Sequence, residues 1–111
     1  MGKRAGSAPV IPPVLEPVVA AFARRKGVTV EKGWGSSSVA FKIGGKIFAM
    51  LIDGSLVLKL SRERVDELVE DAAGTRFDPR CNGKVMKEWI VVPDRKRWLP
   101  LAREAHEFVG Q

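Results

Sequence analysis

The run from Ser38 to Leu60, SVAFKIGGKIFAMLIDGSLVLKL, decides the fold of this 111-residue chain. Gly44-Gly45 and Asp53-Gly54 divide it into three apolar stretches, 38–43, 46–52 and 55–60. Both dipeptides suit two-residue primed turns, whose positive φ values favour Gly, Asn and Asp, so the spacing predicts an antiparallel meander. With two-residue loops, Phe41 faces Phe48, Val39 faces Met50 and Lys42 faces Ile47 in the first hairpin. In the second, Phe48 faces Lys59, Ala49 faces Leu58 and Met50 faces Val57. One face then collects Val39, Phe41, Phe48, Met50, Ile52 and Val57. The other collects Ala40, Ile47, Ala49, Leu51, Leu56, Leu58 and Leu60. A slip of one residue in either turn exchanges the two faces.

Working outward, Val28-Thr29-Val30-Glu31-Lys32 alternates as a short strand, with a Gly/Ser loop after it. Upstream, Leu15, Val18, Val19 and Phe22 recur at helical spacing, with Pro17 near a first turn and Gly27 as C-cap, giving a helix over 14–26. Downstream, Ser61 can cap a second helix whose stripe is Val65, Leu68, Val69 and Ala72, with Gly74 at its end. Residues 75–83 read as a loop and 84–92 as a last strand. A third helix starts at Pro93-Asp94 and carries Trp98, Leu101, Ala102, Ala105, Phe108 and Val109. The expected order is αββββαβα, an α+β fold with an antiparallel sheet of about five strands and three helices. Residues 1–13, rich in proline and without periodicity, are expected to form a mobile arm, and 14–111 a single domain.

Five strands make a sheet about 24 Å wide, and helices about 10 Å across are used up covering one side of it. The uncovered face, expected to carry Phe41, Phe48, Met50 and Val57, then needs a partner, because a monomer seldom leaves a large apolar patch in water. A homodimer is the favoured expectation, ahead of a ligand cup.

The chain carries a net charge of +6 and has a pI near 9.9, which makes polyanions plausible partners. Cys81 is the single cysteine and His106 the single histidine, so neither an internal disulfide nor a zinc site of usual spacing can be written. No apolar run is long enough for a membrane span and no cofactor motif appears, so a soluble cytoplasmic protein without metal or cofactor is expected. Ser36-Ser37-Ser38, Cys81 and His106 fall into no catalytic pattern, and Gly33, Gly35, Gly44 and Gly45 make no phosphate loop. His106, between Ala105 and Glu107, reads as a solvent-facing or helix-end residue. No enzyme is expected.

Two basic clusters remain. Arg24-Arg25-Lys26 closes the first helix, where cations favour the helix C-terminus without any ligand. The second runs from Arg76 and Arg80 through Lys84 and Lys87 to Arg95, Lys96 and Arg97, against Asp78, Glu88 and Asp94. It is a phosphate-binding candidate and equally a solvated surface. Period-two geometry puts Lys87 and Trp89 on one face of the last strand and Met86 and Glu88 on the other, so Lys87 and Glu88 cannot act as one acid-base pair. Helix two is acidic, and no known nucleic-acid reading module appears. Two functional classes stay open: a DNA-associated module using Arg24–Lys26, Lys84, Lys87 and Arg95–Arg97, or a protein- or small-molecule-binding module using the Phe41, Phe48, Met50 and Val57 face.

Three pieces carry a family resemblance: Gly45, Lys46, Phe48 and Ala49; the junction Lys59, Leu60, Arg64, Val65 and Asp66; and Met86-Lys87-Glu88-Trp89. With them the chain, from about Val18 to Gly110, resembles the TfoX N-terminal domain group of the wider MmcQ/YjbR-like family. The resemblance implies a compact α+β fold similar to YjbR and secretion chaperones, and links to competence regulation or DNA binding in some relatives. It supplies no catalytic residues. The chain departs from the group at Lys32-Gly33-Trp34-Gly35 and at Gly83-Lys84-Val85, which weakens any role tied to those segments.

Overall fold

The computed structural model describes residues 11–33, 37–78 and 86–110. A 3-10 turn over Pro13–Leu15 leads into α1 (Glu16–Phe22); β1 (Val28–Lys32), β2 (Ser37–Ile43), β3 (Lys46–Ile52) and β4 (Ser55–Lys59) follow. After α2 (Arg62–Glu70) come β5 (Thr75–Phe77) and β6 (Met86–Val92), then a 3-10 turn over Arg95–Arg97 and α3 (Trp98–Gly110). All strands join one antiparallel sheet in the order β1-β2-β3-β4-β6-β5. The α+β architecture is the expected one, with a sixth strand where a loop was expected. Strand β5 has only three residues, too few for an alternating pattern, and exists by pairing with β6.

Both turns are of the expected kind. Gly44 and Gly45 have φ of 59° and 83°, and Asp53 and Gly54 have 49° and 82°, the pair of positive values that a type I′ turn demands. Helix α1 ends at Phe22, short of the expected Lys26, and the chain turns through an Arg25 N–H to Phe22 carbonyl bond of 3.0 Å. Helix α2 starts where Ser61 Oγ accepts the Arg64 N–H at 3.2 Å. It ends at Glu70, with Ala72 left-handed at φ 58°. Gly74 therefore does not cap it but serves a close approach, because a Cβ there would lie 2.3 Å from the Val91 carbonyl oxygen.

The expected face assignment is corrected by a β-bulge. Beyond the turn Lys42 faces Ile47, as read from the sequence, but Phe41 faces Ala49, Ala40 faces Met50 and Val39 faces Leu51. Phe48 is the extra residue. Both Phe48 and Ala49 are therefore buried in the helix layer, and the pairs of Phe41, Ala40 and Val39 are shifted by one until a second irregularity between Val39 and Ser37 restores the pair of Ser37 with Ile52. The second hairpin keeps its expected register, Ala49 with Leu58 and Met50 with Val57.

The inner face thus joins Val39, Phe41, Phe48, Ala49, Leu51, Leu56, Leu58, Ile90 and Val92 to Leu15, Val18 and Phe22 of the N-terminal helical segment, Val65 and Leu68 of α2, and Trp98, Leu101, Ala102 and Ala105 of α3. Phe48 lies with its ring centroid 5.3 Å from Phe22, 6.0 Å from Phe41 and 5.5 Å from His106. The Trp98 indole N–H donates to the Val92 carbonyl at 2.8 Å, locking the start of α3 to the end of β6. Arg64 ties α2 to α3 through two bonds to the Glu104 carboxylate, 2.8 and 3.1 Å. Phe41 and Phe48, expected on an open face, are the centre of the core.

Candidate functional site

Among the described residues no helix packs on the other side of the sheet. Across it runs a row of paired residues, Ala40, Met50, Val57 and Val91, one from each of β2, β3, β4 and β6. Ala40 and Val57 are buried yet stand outside the cluster that the helices form with the inner face. Of the four residues expected to make an apolar docking face, Met50 and Val57 are here and Phe41 and Phe48 are not.

Next to the row the chemistry changes. Lys59 of β4 faces Trp89 of β6, and its ammonium sits 5.7 Å from the indole centroid. Lys87, two residues before Trp89, leaves the strand on the same side and is exposed. It is the diagonal neighbour of Lys59, which puts the two cations about 7–8 Å apart at their Cα atoms. On β2, Lys42 shares this side and pairs with Glu31 at 3.2 Å. The Lys42 hydrogen bond first, and the Thr29 hydroxyl at 3.1 Å second, hold the Glu31 carboxyl below its ordinary pKa. The carboxylates Glu63, Glu67 and Glu70 are on α2, in the layer behind the sheet.

The other sequence candidates scatter. Arg24, Arg25 and Lys26 are exposed beyond the end of α1, with the Arg25 guanidinium 5.9 Å from the Phe22 centroid. Arg95, Lys96 and Arg97 are exposed in the 3-10 turn past the far end of β6, where Asp94 accepts the Lys96 N–H at 3.0 Å. From Lys87 to Val92 the strand alone spans about 17 Å, so the expected second cluster is not one patch. Arg76 is engaged with Asp66 of α2. Lys84, Cys81, Arg80 and Ser36 lie outside the described residues. Met86 is 42% exposed and Glu88 exposed, on the opposite side of the strand from Trp89.

Two concavities flank this geometry. One, of about 330 Å³, lies at the β4-β6-β5 end of the helix-free face, with Ile52, Val57, Phe77 and Val91 as its apolar lining and Asp53 and Asp78 as its acidic groups. The other, of about 360 Å³, is lined by Arg25, Ile43, His106, Glu107 and Gly110. His106, expected to face solvent or close a helix end, instead lays its ring against Phe22 and Phe48, and its Nε2 is buried without a hydrogen-bond partner among the described residues. Burial first, and the Arg25 charge second, push its pKa below the ordinary histidine value, with Glu107 opposing. Among the described residues no three His, Cys, Asp or Glu side chains are grouped to hold a metal, and no helix is long and apolar enough to cross a membrane.

Lys42 and Lys59 were not among the sequence candidates. Lys59 is legible as an outward lysine at the end of a strand. Its partnership with Trp89 is not, because β4 and β6 pair across the intervening α2 and β5. A family model described as YjbR matches residues 23–108. No curated protein and no solved structure matches the chain.

Proposed function

The chain belongs to the YjbR family, and from that premise we propose that it is a binding module for nucleic acid, with a regulatory role, acting through the helix-free face of its sheet. The observation that carries this reading is the placement of Lys59, Lys87 and Trp89 together on that face, with α2's carboxylates in the opposite layer. Cations that neutralise phosphates release counterions, and a net charge of +6 adds long-range attraction. A closer kinship with the TfoX N-terminal domain group is part of the proposal, supported by Gly45-Lys46, Phe48-Ala49 and Met86–Trp89 of the sequence. No catalytic step is assigned.

A salt titration tests the reading. Binding to a labelled oligonucleotide should weaken linearly on a log–log plot as salt rises from about 50 to 200 mM. Absence of binding at about 50 mM salt, or a slope near zero, sinks it.

A second reading is favoured by the row Met50, Val57 and Val91 and the adjoining 330 Å³ cleft. In this reading the face takes a protein, a second copy of the chain or a small apolar molecule. Without Phe41 and Phe48 it has lost its two largest apolar side chains, and a homodimer there would also have to desolvate Lys59 and Lys87.

A further inference from the structure

We propose that the helix-free face takes single-stranded nucleic acid, with a base stacked on the Trp89 indole and the flanking phosphates held by Lys59 and Lys87. The proposal rests on the nucleic-acid reading above and specifies its ligand. Its first support is the kind of surface available. Reading a duplex calls for a helix or a two-stranded ribbon that enters a major groove about 12 Å wide. The cationic surface here is the face of a six-stranded sheet about 29 Å wide. Helix α2 is acidic in its first turn, and α1 has only seven residues. A broad sheet face with an aromatic side chain suits splayed bases instead, since every base has a π-face to stack.

The second support is the arrangement of the three side chains. Lys59 faces Trp89 across the ladder and holds its ammonium 5.7 Å from the ring centroid. A base arriving on the indole replaces that cation, and the displaced ammonium is then beside the phosphates that accompany the base. Lys87, exposed and diagonal to Lys59, brackets the ring from the other direction along the strand. Val91, two residues beyond Trp89 on the same side of β6 and half-buried, continues an apolar floor beside the indole for a neighbouring base. Of the carboxylates on this side, Glu31 is engaged by Lys42 and Thr29, on β2 and β1, and Asp53 and Asp78 line the cleft at the β4-β6-β5 end of the face.

The test measures anisotropy of labelled oligothymidylate, oligouridylate and a mixed-sequence duplex, each of about 20 nucleotides, against the full chain at about 50 mM salt, with Trp89→Ala, Trp89→Phe and Lys87→Gln. The single strands should bind at least about tenfold tighter than the duplex. Trp89→Ala should lose about 5- to 150-fold, the range of one stacked base, and Trp89→Phe should keep most of the affinity. Lys87→Gln should flatten the salt dependence by about 0.7, the value of one phosphate contact on a single strand. The two homopolymers separate a DNA ligand from an RNA one. Duplex binding as tight as the single strands, or Trp89→Phe as weak as an otherwise folded Trp89→Ala, overturns the stacking and leaves the broader reading standing. No salt-dependent binding of any of the three overturns both, and dimerisation by light scattering without nucleic-acid binding gives the face to a second copy.

Discussion

Replacing Phe48 by alanine distinguishes the bulged sheet from the regular one. In the bulged register Phe48 has no exposed surface and is enclosed by Phe22, Phe41 and His106. A buried aromatic side chain hides about 150–250 Å², which at about 25 cal/mol per Å² is worth about 4–6 kcal/mol as an upper bound. Measured core losses of this type run at about 3–5 kcal/mol. An expected loss of about 3–4 kcal/mol is a large part of the roughly 5–15 kcal/mol that holds a domain of this size. Phe48→Leu, which keeps most of the volume, should cost about 1–1.5 kcal/mol. Urea unfolding followed by circular dichroism gives both values, provided the slope m is unchanged.

Protein concentration makes the test sharper. A Phe48 held inside one chain loses the same free energy at any concentration. A Phe48 on an outer face against a second copy would show a loss that grows with protein concentration, because assembly then contributes to stability. A loss below about 1 kcal/mol, or one that depends on concentration, would refute the bulge and restore the register in which Phe48 opposes Phe41.

Stability should fall as pH drops below about 6.5, the unfolded histidine value. The reason is that His106 is held below that value in the folded chain, so its contribution is complete above the unfolded pKa and is lost as pH falls through the folded one. His106→Asn should flatten this part of a urea-midpoint profile between about pH 7.5 and 5.5. A double-mutant cycle on Arg64→Ala and Glu104→Ala should give a coupling of about 0.5–1 kcal/mol for the half-exposed bidentate pair, and about half of that or less in about 1 M salt. Gly74→Ala should cost about 1–3 kcal/mol by thermal or urea unfolding, since its Cβ would press on the Val91 carbonyl and Ile90. Ala72→Gly should instead gain up to about 1 kcal/mol, because Ala72 is left-handed at φ 58°.

The features legible in the sequence are those written in local chemistry. Gly44-Gly45 and Asp53-Gly54 announced their turns because few residues accept a positive φ, and Ser61 announced the start of α2. The alternation of β6 put Lys87 and Trp89 on one face and Met86 and Glu88 on the other without reference to any other strand, and packing against the helices then turned the Trp89 face outward. What stayed hidden depended on partners distant in the chain. The bulge at Phe48 leaves both turns and the hydrophobic pattern of β3 unchanged, and it becomes visible only when Phe22 and His106 supply the space that the ring fills. Strand β5 is three residues that β6 recruits, and Lys59 meets Trp89 only because β6 inserts next to β4.

The bulge also decides which functional argument the molecule supports. In the regular register the uncovered face would hold Phe41 and Phe48 beside Met50 and Val57, a surface apolar enough to demand a partner in order to stay in solution. The extra residue in β3 turns both phenylalanines inward and leaves Ala40, Met50, Val57 and Val91 as a narrow apolar row. Lys42, Lys59 and Lys87 then stand beside that row, and the obligation to dimerise is relaxed. The charges divide in the same way near Trp89: Lys59 and Lys87 stand beside it on the sheet side, while α2, in the other layer, carries Glu63, Asp66, Glu67 and Glu70 against Arg62 and Arg64. A polyanion approaching it is attracted to the sheet and repelled from α2 before any contact forms. Bases brought close by their phosphates then meet Trp89 and the half-buried Val91 on that side.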